Sequence, residues 1–89
     1  MDRLSGLMPF VRSAELGGFA AAARDLDLSA SAIGKAVAKL EKDLHVRLFQ
    51  RSTRRMQLTE EGQLFYERCK RILEDLDDAH AMLSQTLEV

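Results

Sequence analysis

The sequence has few of the residues that constrain a chain covalently or interrupt its helices. Its single cysteine, Cys69, rules out a disulfide within the chain and suits a reducing cytosol. With one proline and 46% apolar residues among 89, the composition is typical of a folded helical chain rather than a disordered one. No apolar run approaches eighteen residues, and Met1 is followed by two charged residues. We therefore expect no membrane span, no signal peptide and a cytoplasmic location.

The residue groupings that carry out catalysis or bind metals are also missing from the sequence. His45 and His80 are far apart, and neither lies at a spacing typical of metal ligands. Cys69 falls in an apolar pattern, as a small buried side chain would. The hydroxyl of Ser29 is better explained as a helix cap than as a nucleophile. We predict that the chain is not an enzyme and binds no metal and no cofactor.

The formal net charge of −1 conceals an uneven distribution of charge along the chain. Residues 29–58 carry seven basic and two acidic groups, whereas residues 59–89 carry three basic and eight acidic groups. The middle of the chain is therefore strongly positive and its C-terminal part strongly negative. One end of the molecule should attract a polyanion, and the other should point away from it.

Residues 29–44 predict a helix with two different faces, which begins at Ser29 as its N-cap. The apolar stripe expected to be buried consists of Ile33, Val37, Leu40 and Leu44. The opposite side carries Ser31, Lys35, Ala38 and Lys42, with Lys39 beside them. Small residues allow close approach and lysines attract an anion, so this face suits the major groove of duplex DNA. An ordinary solvated surface helix would show the same pattern, and that alternative stays open at this point.

Two shorter helices are predicted before this one. Residues 2–16 have apolar residues at helical spacing, with Asp2 as a candidate cap, and Pro9 predicts a kink or a late start. The glycine pair at 17–18 should end that helix. Residues 19–26 are mostly alanine and predict a short helix, held in the core by Phe19 and Leu26. A turn at 27–29 then leads into the lysine-bearing helix, and the two together predict a helix-turn-helix.

After residue 44 the pattern changes from helical to alternating. Residues 47–51 and 56–58 predict two short strands joined by a loop at 52–55, which is a wing beside the presumed DNA-reading helix. The loop offers two hydroxyl and two guanidinium groups. Arginine suits phosphates and narrow minor grooves, although a solvated loop would also look like this.

The last segment, residues 60–87, predicts one helix about 42 Å long, capped by Thr59. Apolar residues recur along it at alternating steps of four and three, which is the seam of a paired helix. The seam consists of Phe65, Cys69, Ile72, Leu76, Ala79 and Leu83. Leu64, Leu73 and Met82 lie off this seam and would pack on the domain or widen the contact. Because so long a helix cannot bury its seam against a small domain, we expect a homodimer; a monomer with a folded-back helix is the alternative.

The stretch 18–62 resembles the DNA-binding domain of LysR-type transcriptional regulators. The most specific part is the run VRLFQRSTRRMQLTEEG. Further matching residues are Phe19, Ala22, Ala23, Leu26, Leu28, Ser29, Ala32, Ile33, Val37, Leu40, Glu41 and Leu44. The resemblance implies a mainly α fold, a winged helix-turn-helix of three helices and a two-stranded hairpin, followed by a long dimerising linker helix. It implies a DNA-binding domain at 1–58 and a linker at 59–89, without the family's larger effector-binding domain.

Some residues depart from the pattern of that family. The family often has glutamine where this chain has Ala30, and serine where it has Gly34 and Gly18. Since a bidentate base contact is worth roughly 1–3 kcal/mol of discrimination, readout should rest more on Ser31, Lys35, the wing and DNA shape. The family commonly has glycine where this chain has His45, a residue type that more often tolerates a positive φ.

The resemblance and the residue patterns together predict sequence-specific binding of double-stranded DNA by a bacterial transcription regulator acting on an interrupted palindromic operator. Residues 30–44 would read the major groove, the wing at 47–58 would contact the minor groove or phosphates, and a small-molecule effector would act only through the missing domain. The predicted DNA-binding residues are Gly18, Phe19, Ser29, Ala30, Ser31, Gly34, Lys35, Lys39, Lys42, Arg51, Thr53, Arg54 and Arg55. The alternative is a winged-helix interaction module whose basic face binds an acidic protein.

Overall fold

The chain folds as a mainly helical domain with a small hairpin. The structure, a computed structural model, describes residues 5–50 and 56–87, with side chains as far as residue 85. Its elements are α1 (Leu7–Leu16), α2 (Phe19–Leu26), α3 (Ala30–Leu44), β1 (Phe49–Gln50), β2 (Gln57–Leu58) and α4 (Glu60–Leu87). This order confirms the predicted winged helix-turn-helix followed by a long helix.

α1 begins later than its apolar pattern suggested. Its N-cap is Gly6, so the prediction that Asp2 caps this helix was wrong. Pro9 is the third helical residue, a position whose missing N–H has no partner within a helix in any case, so the late start is confirmed. The helix ends at Gly17, whose φ of 84° is left-handed and whose N–H donates to the Ser13 carbonyl at 3.0 Å.

α2 and α3 have the predicted bounds. The turn between them uses Asp27 in the left-handed region, at a φ of 58°, and the Leu28 N–H donates to the Ala23 carbonyl at 2.9 Å. Ala22 and Ala23 are buried against Ile33 of α3. Alanine has no side chain beyond Cβ, so the two helices cross at close range.

Among the described residues, the first strand starts two residues later than predicted and the second one residue later. β1 and β2 pair antiparallel over two residues each, with Phe49 opposite Leu58 and Gln50 opposite Gln57. The Leu48 N–H donates to Glu41 Oε2 at 2.7 Å, and the Leu48 carbonyl accepts from the Thr59 N–H at 3.0 Å. The bond from Thr59 continues the register of the hairpin, but the Leu48 N–H is taken by Glu41, so the reciprocal bond of that pair is not made and the strand begins at Phe49.

The core is centred on aromatic rings from α1, β1 and α4. The Phe10 ring lies 5.5 Å from those of Phe49 and Phe65, and the Phe19 ring lies 6.1 Å from that of Phe49, measured between centroids. Such tilted and edge-on pairs stabilise beyond the burial of their area. The main buried cluster consists of Leu7, Phe10, Val11, Val37, Leu48, Phe49 and Cys69.

α4 begins at Glu60 with Thr59 as its cap, as predicted, and half of the helix lies against the core. Thr59 Oγ1 accepts from the Gly62 N–H at 2.9 Å and donates to the Arg47 carbonyl at 2.6 Å, which fixes the helix start to the chain entering β1. The helix then packs on the core through Phe65, Tyr66, Cys69 and Leu73. Residues 74–85 are all exposed, and the molecule is 53 Å long and about half as wide.

This arrangement divides the apolar seam predicted along α4. Cys69 is fully buried within its own domain, so the prediction that it faces a second copy was wrong. Phe65 is partly buried against the same core, and its contact with a second copy stays a prediction. The bonds of Thr59 turn this part of the seam toward α1. Off the seam, Leu73 packs on the core, whereas Leu64 and Met82 are more than 60% exposed. The seam residues that stay exposed are Ile72, Leu76, Ala79 and Leu83.

A polar chain of contacts joins the outer sides of α4, α1 and α2. The Tyr66 hydroxyl donates to Glu15 at 3.0 Å, Glu15 also pairs with Arg12, and Arg12 Nε donates to Asp25 at 2.8 Å. The hydrogen bond from Arg12 lowers the pKa of Asp25, and partial burial raises the pKa of Tyr66. These groups lie near the surface, where solvent screens ion pairs, so their contribution to stability is small.

Candidate nucleic-acid interface

The N-terminus of α3 is capped by the side chain of Ser29. Ser29 has extended backbone angles, and its hydroxyl accepts from the Ala32 N–H at 3.0 Å. This bond uses the hydroxyl as an acceptor and leaves its proton available to a ligand. Ala30 and Ser31 follow at the exposed start of the helix.

One side of α3 is buried and the other is exposed, as its sequence predicted. Ile33 and Val37 are fully buried and Leu40 partly so, whereas Leu44 is 40% exposed, so the predicted stripe ends one turn early. We call the opposite side the reading face; it consists of Ser31, Lys35, Ala38 and Lys42, all exposed. Lys39 lies beside it and pairs with Asp43 at 3.2 Å. Within the described part of the chain, Lys35 and Lys42 make no ion pair, so their charges are available to an anion.

The N-terminus of α2 adds backbone donors to this region. Gly18 is the N-cap, in an extended conformation, and no side chain caps the helix. The first N–H groups of a helix have no partner within it, and such groups favour anions. The ring of Phe19 is occupied elsewhere, since it packs edge-on against Phe49. Only the backbone of Gly18 and Phe19 is therefore free for the predicted DNA contact.

Gly34 lies on the side of α3 that faces α2 rather than on the fully exposed side. A Cβ built on it would meet the Phe19 ring at 3.4 and 3.5 Å, an ordinary van der Waals distance. The space beside Gly34 is therefore filled by an aromatic ring of the same chain. Its half-buried position places it beside the reading face.

Glu41 is a positioning residue whose structural role the sequence pattern did not predict. It is 7% exposed, and its Oε2 accepts from the N–H groups of Leu48 at 2.7 Å and Phe49 at 3.3 Å. These two bonds attach the last turns of α3 to the start of the hairpin. The sequence did contain a signal for the burial of Glu41: it follows Ile33 by eight residues and Val37 by four, which places it on the buried side of the helix.

The tip of the predicted wing lies outside the described residues. Arg51, Thr53, Arg54 and Arg55 are the predicted contacts concerned. The base of the hairpin is described, and Glu41 and Thr59 hold it between α3 and α4. The base of the hairpin is therefore attached to the reading helix.

The described residues contain no group suited to catalysis by a metal or a thiolate. Across residues 5–50 and 56–87, no three His, Cys, Asp or Glu side chains converge as a metal site would require. Burial raises the pKa of Cys69 from 9.0 to about 11, so its sulfur is a protonated thiol at neutral pH. Over the same part of the chain, no helix has the length and apolar character needed to cross a bilayer.

A capped helix with a basic outer face, set across a short alanine-rich helix and followed by a hairpin, defines a winged helix-turn-helix protein. Residues 4–63 match the family described as bacterial regulatory helix-turn-helix protein, lysR family. The chain belongs to that family. Its members are transcription regulators rather than enzymes.

Curated relatives match nearly the whole chain but extend well beyond it. The chain is 45% identical over 83 residues to the transcriptional activator AaeR of Escherichia coli K12, covering 93% of this chain and 27% of AaeR. It is 36% identical over 83 residues to a transcriptional repressor of Pseudomonas aeruginosa, covering 93% of this chain and 26% of the repressor. The chain thus spans about a quarter of the length of these relatives.

Solved structures confirm the fold. The DNA-binding domain of BenM, in complex with a catB site, superimposes with a TM-score of 0.89 at 28% identity, covering 96% of this chain and 93% of that one. The DNA-binding domain of CbnR, also in complex with DNA, has a TM-score of 0.80 at 37% identity and full coverage of both chains.

Proposed function

We propose that this chain binds duplex DNA sequence-specifically, as the DNA-recognition part of a LysR-type transcription regulator. The observation that carries the proposal is the contrast between the two sides of α3: Ile33 and Val37 are fully buried, while Lys35 and Lys42 are exposed. A helix with small and basic residues outward fits the major groove. The BenM and CbnR domains were solved with DNA, which supports the same use here.

Within this proposal, the residues at the interface have different roles. Ser31 and Lys35 face base edges, with Lys35 donating to guanine O6 or N7, and Ser29, Ala30 and Gly34 line the approach to them. Lys39 and Lys42 contact phosphates, and the backbone N–H groups of Gly18 and Phe19 bind another phosphate. The wing, residues 47–58, reaches the minor groove or the backbone through Thr53, Arg54 and Arg55, with Arg51 bracing it or adding a contact.

The test is a titration of the chain with two duplexes, one palindrome obtained by binding-site selection and one scrambled, each at two salt concentrations. We expect clear preference for the selected duplex, and Lys35→Ala should reduce that preference by about 1–3 kcal/mol. Arg24→Ala, which removes an exposed basic side chain in the last turn of α2, should leave the preference unchanged.

Two outcomes would contradict parts of the proposal. Equal binding of wild type to both duplexes would favour a module that binds an acidic protein. Equal loss of affinity for both duplexes in Lys35→Ala would reassign Lys35 to a phosphate.

We further propose that the chain dimerises through the exposed seam of α4, with the two helices antiparallel. The exposed stretch 74–78 contains four acidic residues, and the preceding stretch 68–71 contains three basic ones. Parallel helices would set the acidic stretches against each other, whereas antiparallel helices crossing near Ile72 and Leu76 set acidic against basic. Like charges on neighbouring helices repel each other, whereas opposite charges stabilise the helix pair.

Sedimentation of Leu76→Gln tests this dimer, because glutamine keeps helix propensity while removing an apolar group from both copies. Loss of about 1.5–3 kcal/mol per buried leucine should weaken dimerisation at least about tenfold. The control is Leu28→Gln in the α2–α3 turn, where the leucine is 50% exposed against 46% for Leu76. Dimerisation that both variants weaken equally, or that neither weakens, would contradict an α4 interface.

In the whole protein, we propose that such a dimer binds an interrupted palindromic operator in the bacterial cytoplasm, at the nucleoid. Residues 1–58 would serve DNA recognition and residues 59–89 linkage and pairing. A small-molecule effector would act through a further C-terminal domain, consistent with the much greater length of the relatives. The two relatives named above are an activator and a repressor, so the domain would serve either outcome.

A further inference from the structure

A groove lies at the C-terminal end of α3, beyond the residues assigned above to bases. It is open to solvent, has a volume of about 470 Å³, and is lined by Ala38, Glu41, Lys42, His45, Val46 and Arg47. Its shape depends on the end of α3. His45 is the C-cap in the left-handed region, at a φ of 57°, and its N–H bonds back to the carbonyls of the last turn. The chain turns at His45, and Lys42 before the turn and Arg47 after it line the same groove.

The charges at this groove are those of an anion site. Lys42, His45 and Arg47 are all exposed, and none of their side chains forms an ion pair with another described residue. The single acidic residue in the lining, Glu41, is turned inward, where it accepts from the N–H groups of Leu48 and Phe49. Two permanent cations and an imidazole donor thus face solvent.

The groove continues the reading face of α3. Ala38 and Lys42 belong to both, so a polyanion that follows the reading face reaches the groove without leaving the protein surface. Ser31 and Lys42 are eleven residues apart, which is about 16 Å along a helix axis. The major groove is only about 12 Å wide. If Ser31 reaches base edges, the opposite end of α3 therefore lies at the level of the sugar–phosphate backbone.

We propose that Lys42, His45 and Arg47 together bind a backbone phosphate of the duplex, at the end of α3 opposite to the base-reading residues. The proposal rests on the proposed function and deepens it. It adds His45 and Arg47 to the interface and gives the phosphate assigned to Lys42 a specific binding groove. A phosphate contact of this kind fixes the register of α3 on the duplex without reading sequence.

The test measures the salt dependence of binding for His45→Gly and Arg47→Gln in the whole chain, by fluorescence anisotropy with the selected and scrambled duplexes. Glycine adopts the left-handed conformation of position 45 without strain, so a binding defect in His45→Gly does not arise from misfolding. Arg24→Gln is the matched control, since Arg24 is exposed in the last turn of α2 and is assigned neither to DNA nor to the dimer.

We expect Arg47→Gln to reduce the slope of log affinity against log salt by about 0.9, equally for both duplexes. His45→Gly should weaken both duplexes alike, by an amount smaller than for Arg47→Gln, since imidazole is a donor rather than a permanent cation. A slope for Arg47→Gln equal to that of Arg24→Gln would overturn the proposal. Loss of preference for the selected duplex in either variant would also overturn it, because the groove would then read bases.

Failure of this proposal is distinguishable from failure of the proposed function. Wild type that prefers the selected duplex, together with unchanged slopes in the variants, would exclude the groove alone. Wild type without that preference would exclude the function. A third arm titrates inorganic phosphate at constant ionic strength and follows the imidazole signals of His45 by NMR. Saturation at millimolar phosphate, together with a slope for DNA binding that Arg47→Gln leaves unchanged, would assign the groove to a free anion and overturn its assignment to DNA.

Discussion

At the scale of single residues, two helical glycines have opposite surroundings. A Cβ on Gly62 would lie 2.0 Å from the Leu48 carbonyl oxygen, a backbone atom held in place by the Thr59 N–H. A Cβ on Gly34 would lie 3.4 Å from the edge of the Phe19 ring. The same added methyl group therefore clashes at one position and packs at the other.

This contrast predicts opposite changes in stability. Gly62→Ala should lower the free energy of unfolding by about 1–3 kcal/mol, because the start of α4 must move away from the hairpin. Gly34→Ala should raise it by up to about 0.8–1.0 kcal/mol, since alanine is the better helix former and the space exists. Urea denaturation of both variants measures the difference. Equal effects of the two substitutions would show that helix propensity alone governs both sites.

At the scale of elements, one side chain near each end of α3 fixes the position of the helix: the Ser29 hydroxyl at its start and the Glu41 carboxylate near its end. Ser29 caps its first turn through the Ala32 N–H. Glu41 attaches its last turns to the chain entering β1. The helix is thereby held relative to both the preceding turn and the hairpin, as a reading helix and a wing must be to meet one duplex together.

The cap at Ser29 predicts a loss of stability when it is removed. Ser29→Ala should lower the free energy of unfolding by about 1 kcal/mol, because the Ala32 N–H loses its acceptor. Ser31→Ala is the matched control, an identical change two residues further on at an exposed position, and should change stability by less than about 0.5 kcal/mol. Thermal or urea unfolding of the two variants measures this difference in stability. A larger loss in Ser31→Ala would mean that the cap contributes little.

At the scale of the whole molecule, α4 has two parts with different surroundings. Its first half completes the core through Cys69 and Phe65, and its second half is exposed from residue 74 to residue 85. The basic reading face and the acidic distal half of α4 belong to different regions of an elongated molecule. This separation lets a chain of net charge −1 present a positive surface to a polyanion.

Because Cys69 is the single cysteine, it reports on how α4 is attached to the domain. The native thiol should react slowly with a disulfide reagent at pH 7.5 and rapidly after denaturation, since it is fully buried. Its pKa is raised from 9.0 to about 11 in the folded chain. As the pH rises through this interval, the unfolded thiol ionises first, so stability should fall more steeply than in Cys69→Ala. Rapid labelling of native protein would contradict the burial of α4 at this point.

The sequence by itself determined the helix bounds from residue 19 onward, because their signals are local. Ser29 and Thr59 bond to N–H groups three residues further on, and periodicity of apolar residues marks the helices between such caps. It also determined the outward lysines of α3 and the length of α4, and its one family-specific run led to the right family.

Only the tertiary structure decided which side of α4 meets its own core, why Glu41 is turned inward, and where the strand ladder begins. Each depends on contacts between residues distant along the chain. Thr59 bonds to Arg47 twelve positions away, and Phe65 packs on Phe10 fifty-five positions away. Periodicity assigns Phe65, Cys69 and Leu76 to one seam. The packing of α4 on α1 then separates the two that complete the core from the one left exposed.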